Sequence, residues 1–423
     1  MSEKFDVIVI GGGPAGMMAA ITAAMNGAKV ALFEKNKRLG KKLLMTGGGR
    51  CNVTNNRPVE DLITHIPGNG RFLYSTFSQF DNQDVMTFFN ERGVALKEED
   101  HGRIFPVSDK SATIVNTLKE ELENLNVELH FKESVEQIIT NGSTIQGVRT
   151  SEGDYSAKSI IVTTGGITYP STGSQGDGYR FAKSVGHHVT PLYPTESPIF
   201  LTDDFVSAKT LQGLSLQDVK LSVVDEKNKS IANHEMDLLF THFGISGPAA
   251  LRCSSFVNQL LRTQETVTLI LDCFPEKSTN ELLEEIRERA AASTKQLKNA
   301  LTGFLPERLL LFFLEKVGIS DLLYSQTSKE QLDRFLSYCK DWSMTANKTF
   351  GLEKSFVTGG GVELKEINPK ELASKKIPGL YFAGEVLDVN GYTGGYNITT
   401  AFCTGYVAGT HAAYNAFASV SYT

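Results

Sequence analysis

The chain has 423 residues, of which 41% are hydrophobic and 21% are charged, and its formal net charge is −6. This length suits two or three packed units, and the lack of a run of about 18 apolar residues argues against a membrane-spanning helix. The mild negative charge gives no general attraction to nucleic acid or anionic membranes. Five cysteines without CxxC spacing, and an N-terminus without secretory-signal features, predict a cytoplasmic protein with reduced thiols.

The first 35 residues predict a strand–helix–strand unit. Residues 5–10 are a short, β-branched run typical of a strand buried on both faces. Residues 14–26 are rich in Ala and Met and predict a helix with Pro in its first turn. Residues 30–33 predict a second buried strand that ends at Glu34. This order is a βαβ unit, which predicts a parallel sheet.

The rest of the chain alternates in character. Residues 36–60 predict a long functional loop, 70–92 and 111–125 predict helices, and 127–131, 135–140, 145–150 and 159–162 predict strands. Residues 195–272 are β-rich, 276–340 have helical patterns, and 398–417 predict a closing helix. We therefore predict an α/β fold, with a Rossmann-like domain in two segments, 1–192 and 351–423. Between them we expect a β-rich insert at 193–273 and a helical insert at 274–350.

The turn between the first strand and the first helix reads GGGPAG from Gly11 to Gly16, which fits G-x-G-x-x-G. Gly11 suits a tight turn, Gly13 allows a pyrophosphate to approach the backbone, and Gly16 allows close packing of helix and strand. The helix N-terminus attracts the phosphates, and Glu34 is placed to accept hydrogen bonds from a ribose diol. The fingerprint predicts a dinucleotide, without separating FAD from NAD.

Three later segments favour FAD. Residues 159–166 form a predicted buried strand that ends in Thr-Thr-Gly-Gly, as in flavoproteins with two dinucleotide-binding domains. Residues 379–385 form a predicted strand that ends in Gly384 and Glu385; Glu385 or Asp388 is a candidate partner of the ribityl chain. Residues 394–397 precede a helix whose N-terminus would stabilise negative charge on a flavin. Each segment is also compatible with an ordinary strand end or helix cap.

Six motifs stand together in this order: GGGPAG at 11–16, TGGGRCNVTN at 46–55, HGRIFPVSDKSA at 101–112, TTGGITYPSTGSQGDGY at 163–179, FTHFGISGP at 240–248 and GEVLDVNGYTGGYN at 384–397. Over residues 5–412 the chain resembles the BaiN/RdsA-type (HI0933-like) NAD(P)/FAD-dependent oxidoreductases. The resemblance implies an FAD-binding Rossmann-like domain with an inserted middle region. It also implies reduction of activated C=C bonds, on substrates as different as 3-oxo steroid dienes and a uracil ring in ribosomal RNA.

The cofactor expected is non-covalently bound FAD. The residues predicted to contact it are Gly11, Gly13, Pro14, Ala15, Gly16, Glu34, Lys35, Lys42, Gly47, Gly48, Val135, Thr164, Gly165, Gly384, Glu385, Asp388, Gly395, Asn397 and Ile398. A second G-x-G-x-x-G is missing, so NADH or NADPH is expected only as a transient donor, if it is used. No residue spacing suggests a metal site.

Candidate catalytic groups lie on the glycine-rich loops. Arg50 could bind an enolate oxygen or form a structural salt bridge, and His101 and Arg103 could serve in proton transfer or order their loop. Tyr392 and Tyr396 flank a glycine turn, where either could donate a proton or pack. Cys51 is expected to be a small buried residue and not a nucleophile.

The predicted reaction is hydride transfer from flavin N5 to an activated C=C bond. The substrate is a small enone-type molecule, or uridine in ribosomal RNA, which would become dihydrouridine. For RNA, Lys295, Lys298 and Arg308 on the predicted helices are the candidate basic face, with solvated helix surface as the alternative. A non-catalytic flavin-binding sensor is the third hypothesis. No membrane partner is expected, and the sequence does not specify an oligomeric state.

Overall fold

The computed structural model describes residues 4–418. They divide into two compact units: unit 1 lies within Met1–Tyr193 and Phe356–Thr423, and unit 2 is Pro194–Ser355. Unit 2 is therefore a single continuous segment, whereas unit 1 is built from both ends of the chain.

The strands in chain order are β1 (Lys4–Ile10), β2 (Val30–Glu34), β3 (Thr54–Asn55), β4 (Leu96–Glu99), β5 (Arg103–Pro106), β6 (Glu128–Phe131), β7 (Val135–Asn141), β8 (Thr144–Thr150), β9 (Asp154–Val162), β10 (Tyr193–Thr195), β11 (Ile199–Leu201), β12 (Ser215–Val224), β13 (Ser230–Phe240), β14 (Gly244–Ser246), β15 (Val267–Asp272), β16 (Trp342–Thr349), β17 (Val357–Gly359) and β18 (Leu380–Phe382).

The α-helices are α1 (Pro14–Met25), α2 (Val59–Thr64), α3 (Tyr74–Phe77), α4 (Asn82–Glu91), α5 (Ser111–Asn124), α6 (Asp177–Ser184), α7 (Asp204–Ser207), α8 (Pro248–Leu260), α9 (Thr279–Ala290), α10 (Leu297–Ala300), α11 (Glu307–Val317), α12 (Lys329–Lys340) and α13 (Tyr396–Ala418). No helix between residues 4 and 418 has both the length and the apolar composition to cross a membrane.

The main sheet of unit 1 has the order β6-β2-β1-β9, in which neighbouring strands are parallel. Strand β9 has two further partners, because its first half pairs with antiparallel β8 and its last residues pair with parallel β18. β7 continues the sheet beyond β8. β1, α1 and β2 form the βαβ unit that the sequence predicts, and the α/β Rossmann-type fold with an inserted β-rich region is confirmed.

Helices α1 and α13 pack with their backbones in direct contact. Gly405 and Gly409 are four residues apart on α13 and lie against Ala15 and Ala19, which have the same spacing on α1. A Cβ atom at either glycine would overlap the backbone carbonyl oxygen of the facing alanine. Small residues at this spacing remove the side chains that normally keep helix axes 8–10 Å apart.

Unit 2 contains a closed six-stranded barrel, in which the strand order is β11-β14-β13-β12-β15-β16. Alternate residues point inward, and Leu221, Leu238 and Leu269 are fully buried in its core. The sequence placed 342–349 at the end of the helical insert, but these residues form β16. Trp342, Met344 and Ala346 are buried at a spacing of two, which is the period of a strand.

The His187–His188 pair shares one carboxylate in unit 1. His187 Nδ1 lies 3.0 Å and His188 Nδ1 2.5 Å from the two carboxylate oxygens of Glu366. Lys376 Nζ is 2.6 Å from the same carboxylate. Burial alone would raise the pKa of Glu366, but the hydrogen bonds from His188 and Lys376 outweigh it and lower the pKa to about 2.

Gly409→Ala should lower the free energy of unfolding by on the order of 1–3 kcal/mol, the cost of overpacking a tight contact. Overpacking should outweigh the roughly 1 kcal/mol that Ala gains over Gly in a helix interior. Thr410→Ala, on the half-buried side of α13, is the control. Denaturation of both variants, followed by circular dichroism, checks this; a Gly409→Ala protein as stable as wild type would contradict the backbone contact.

Glu366→Gln should remove a pH-dependent part of the stability. The folded-state pKa is about 2 and the ordinary value is 4.5. The carboxylate therefore stabilises the fold fully above about pH 4.5, and this contribution is lost as the pH falls toward 2. We expect the wild type to be more stable than the variant at pH 7, with a difference that shrinks across that range. Urea midpoints at several pH values measure it, with exposed Glu120→Gln as control.

Candidate functional site

The glycine turn between β1 and α1 has the shape of a phosphate cradle. Gly11 has a φ of +108°, and a Cβ there would lie 2.7 Å from the Thr163 carbonyl oxygen. A Cβ at Gly16 would overlap the Gly11 carbonyl oxygen, whereas one at Gly13 would meet nothing within 4 Å. The turn is thus tight on its inner side and open in front of Gly13. Pro14 and Ala15 follow as the first residues of α1.

Glu34 ends β2 directly behind this turn and is only 8% exposed. Its Oε2 accepts the Gly12 N–H at 2.9 Å, and its Oε1 accepts both the backbone N–H and the side-chain amide of Asn36 at 2.7 Å. The carboxylate holds the glycine turn in position through the hydrogen bond from Gly12. Its remaining lone pairs are available to a ribose hydroxyl.

Two predicted lysines form ion pairs within unit 1. Lys35 Nζ lies 2.6 Å from Asp177, and Lys42 Nζ lies 3.1 Å from Glu385, itself a predicted contact. Glu385 also accepts the Thr358 N–H at 2.9 Å. Burial disfavours the charged form of Glu385, but Lys42 and the backbone N–H groups outweigh it and hold the pKa below its usual value.

The segment after β9 lies beside the late strand β18. Gly165 has a φ of +73°, and Gly384 lies so close to α1 that its Cβ would be 2.9 Å from the Ala15 Cβ. The Thr164 hydroxyl is buried and has no hydrogen-bond partner among the described residues. An unsatisfied buried hydroxyl is unfavourable, so it favours a ligand group at this point. Asp388 is held by the Thr190 hydroxyl at 3.1 Å, and burial raises its pKa.

The loop that carries TGGGRCN is left-handed at several consecutive residues. Gly47 and Gly48 have φ values of +56° and +66°, and a Cβ at Gly48 would meet nothing within 4 Å. Cys51 follows with a φ of +64° and is fully buried. Burial raises the pKa of the Cys51 thiol to about 12, which leaves it protonated and agrees with a packing role.

Asn55, which the sequence analysis did not single out, joins three predicted site loops. Its side-chain amide donates to the His101 carbonyl oxygen at 3.1 Å and to the Gly394 carbonyl oxygen at 2.9 Å. Its neighbour Thr54 shares a 2.7 Å hydrogen bond with Thr399 of α13. The sequence could have pointed to Thr54 and Asn55, because both residues lie inside the TGGGRCNVTN motif.

The glycine turn before α13 is closed by side chains. Gly395 has a φ of +98° and approaches the Thr54 carbonyl oxygen closely. The Asn397 side chain accepts the Gly391 N–H at 2.8 Å and donates to the Gly391 carbonyl oxygen at 2.7 Å, which fixes the loop. Ile398 follows in the first turn of α13. Tyr392 and Tyr396 are buried, and Tyr396 stacks on His65 with ring centroids 4.8 Å apart.

The remaining catalytic candidates lie around β5. Arg50 lies 2.9 Å from Glu99 and its guanidinium is 4.2 Å from the Phe105 ring centroid, so its planar group is already occupied. Arg103 is paired with Asp100. His101 is half-buried in a left-handed conformation, with φ +58°. Its Nε2 lies 3.9 Å from Asp100 Oδ2, so the His101 ring faces a carboxylate.

Val135 begins β7, away from the glycine turn in sequence but linked to it in space. In the turn before β7, the Lys132 N–H donates a hydrogen bond to the Asn36 carbonyl oxygen, so this turn lies beside the residue that Glu34 binds.

A cleft of about 610 Å³ lies in unit 2, around Asp203, Lys316 and Trp342, and none of the predicted site residues lines it. Within residues 4–418 no three His, Cys, Asp or Glu side chains are placed to hold a metal ion.

Comparison with known proteins gives matches over nearly the whole chain. The HI0933-like protein Rossmann domain family matches residues 5–411. A "Ribosomal RNA dihydrouridine synthase" from Haemophilus influenzae is 33% identical over 96% of this chain and 98% of its own. A "3-dehydro-bile acid delta(4,6)-reductase" from Clostridium scindens is 30% identical over 96% and 98%.

Among solved structures, the chain is similar in fold to a 3-ketosteroid delta1-dehydrogenase from Sterolibacterium denitrificans. The TM-score is 0.53 at 13% identity, with 98% of this chain and 100% of that chain covered. The family match and the two relatives extend over the glycine turn, the TGGGRCN loop and the late Gly384–Asn397 segment together. The chain belongs to the HI0933-like family of flavin-dependent oxidoreductases.

Proposed function

We propose that unit 1 holds FAD non-covalently, with the pyrophosphate in front of Gly13 and the ribose at Glu34. Three observations support this: the space in front of Gly13, the buried carboxylate behind the turn, and the unpartnered Thr164 hydroxyl. The positive end of α1 and its open backbone N–H groups favour the phosphates. The observation that carries the proposal is the space at Gly13. A Cβ at Gly11 or Gly16 would overlap backbone atoms, whereas one at Gly13 would meet nothing within 4 Å.

The late segment supplies the other side of the proposed site. Lys42 and Glu385 form a charge pair under the Thr164–Gly165 turn and fix the position of that turn. The proposed flavin lies near the N-terminus of α13, beside Gly395, where the helix dipole stabilises a flavin that gains negative charge. Asn55 and Asn397 hold the two loops beside this terminus in place.

We propose that the reaction is the reduction of a C=C bond conjugated to a carbonyl. Bound FAD supplies the hydride. The chain has to orient the substrate, exclude water and provide a proton. For the proton we propose His101, whose loop is tied to Gly394 through Asn55. NADH or NADPH would act as a transient donor, since the sequence offers no second dinucleotide fingerprint.

We propose a uracil ring in ribosomal RNA as the substrate, because a relative named for that reaction matches at 33% identity over nearly its full length. A 3-oxo steroid diene is the competing substrate, because the bile acid reductase matches at 30% identity.

The five cysteines are unpaired, which supports the expected reducing, cytoplasmic setting.

Glu34→Gln should weaken FAD retention by about 1–3 kcal/mol, the scale of a lost hydrogen bond to a charged group. The measurement is the affinity of the apoprotein for FAD by fluorescence titration, together with the flavin content after purification. Exposed Glu60→Gln is the control, and thermal melts of the apoproteins test whether the turn has kept its fold. Unchanged affinity would remove Glu34 from the ribose, and a purified protein that releases only FMN would contradict the FAD site.

Deletion of the gene should remove one dihydrouridine from ribosomal RNA, seen by mass spectrometry as the loss of a single +2 Da uridine. Re-expression of the wild type should restore it, whereas His101→Gln should restore it at least about 100-fold more slowly if His101 gives the proton. Glu60→Gln is again the control. Unchanged ribosomal RNA, with turnover of a 3-oxo-4,6-diene steroid by the pure enzyme, would select the steroid substrate instead.

A further inference from the structure

Unit 2 carries an aromatic–lysine patch, which we define as Phe200, Phe243, Phe350, Lys348 and Lys354. The three rings contact one another: their centroids are 4.8 Å apart for Phe200–Phe243 and Phe200–Phe350, and 5.1 Å apart for Phe243–Phe350. Lys348 Nζ lies 4.4 Å from the Phe200 centroid, and Lys354 Nζ lies 5.1 Å from the Phe350 centroid. Rings and cations therefore alternate across one surface.

Strand register creates the patch. Phe200 lies between Ile199 and Leu201, which are buried in the barrel, so its side chain is on the opposite face of β11. Lys348 on β16 pairs directly with Phe200 on one side, and Gly244 on β14 pairs with it on the other. Phe243 lies just before β14, and its ring contacts that of Phe200.

The three phenylalanines belong to no apolar core. All are half-buried, and none is among the residues that form or pack against the hydrophobic cluster of unit 2. Both lysines are exposed, and neither forms an ion pair with a carboxylate among residues 4–418. His242 is exposed and stacks edge-on on Phe243, with ring centroids 5.0 Å apart, and the exposed Glu353 is next to Lys354 in the sequence.

Several basic residues on or beside the helices of unit 2 already have partners. Lys298 lies 2.6 Å from Asp321, and Arg308 donates to the Gln212 carbonyl oxygen at 2.9 Å. Three others on or next to the helices face acids: Lys277 with Glu285, Arg287 with Glu284, and Lys340 with Asp272. A polyanion would have to break these ion pairs, whereas Lys348 and Lys354 contact rings of the patch and have no carboxylate partner among residues 4–418.

We propose that the aromatic–lysine patch binds an unpaired segment of the RNA substrate, with bases stacked on the phenylalanine rings and phosphates at the two ammonium groups. This inference rests on the proposed function. Aromatic rings interleaved with cations are the arrangement by which proteins bind single-stranded nucleic acid. A duplex hides the base faces and so cannot use the rings.

The test uses the full-length FAD-loaded protein and fluorescein-labelled RNAs of about 20 nucleotides, one single-stranded and one fully paired. Fluorescence anisotropy compares wild type with Lys348→Gln/Lys354→Gln and with Phe200→Leu/Phe350→Leu. Lys295→Gln/Lys329→Gln is the matched control, because it removes the same charge from two exposed positions. Lys329 begins α12, whereas Lys295 lies in the bend before α10 and not on a helix as the sequence predicted. Flavin content and circular dichroism test whether each variant is folded.

We expect wild type and control to bind the single strand more tightly than the duplex. The phenylalanine variant should bind about 10- to 100-fold more weakly, the range for stacked bases. The lysine variant should lower the slope of log Kd against log salt by about 1.4, from about 0.7 for each phosphate contact. Dihydrouridine formation should fall in parallel in cells, while flavin content is retained.

Equal binding by all four proteins, with dihydrouridine still formed, would overturn the patch and leave the proposed function standing. Equal affinity for duplex and single strand would overturn the stacking of bases. A wild type that binds neither RNA and restores no dihydrouridine would overturn the RNA substrate, and the patch with it.

Discussion

The site depends on the backbone contact between α1 and α13. Because Gly405 and Gly409 carry no side chains, α13 lies directly against Ala15 and Ala19, and Gly384 meets the same first turn of α1. Residues at opposite ends of the chain thereby form one proposed cofactor site. Without this contact, the predicted phosphate cradle and the late glycine turn would lie apart, and neither would line a complete cofactor site.

The local parts of the fold could be predicted from sequence. The βαβ unit, the glycine turn and the acid at the end of β2 are encoded within 35 residues, and the structure has them where the sequence placed them. β16 was missed because it follows a helix directly, and its alternation is visible only against the barrel core. Contacts over long separations, such as Glu366 with His187, leave no periodic signal in the chain.

For the candidate site, the sequence predicted the loops but not the partners of their side chains. Long motifs located the loops, but they did not show which side chains are already engaged. The ion pair of Arg50 with Glu99, and that of Lys42 with Glu385, appear only when loops from different parts of unit 1 meet. The same holds for RNA: the sequence directed attention to helical lysines, whereas strand register brings Lys348 opposite Phe200 on the barrel surface.

The division of the chain also orders its synthesis. Unit 2 is continuous and lies in the middle, so all its strands have been made before β18 and α13 leave the ribosome. Until then unit 1 is incomplete: β9 lacks its partner β18, and α1 exposes the alanines that α13 later covers. A nascent chain can therefore complete its barrel early, while the Rossmann half stays open until β18 and α13 have been made. The synthesis of α13, and not the emergence of the glycine turn, sets the moment at which the dinucleotide fold can close.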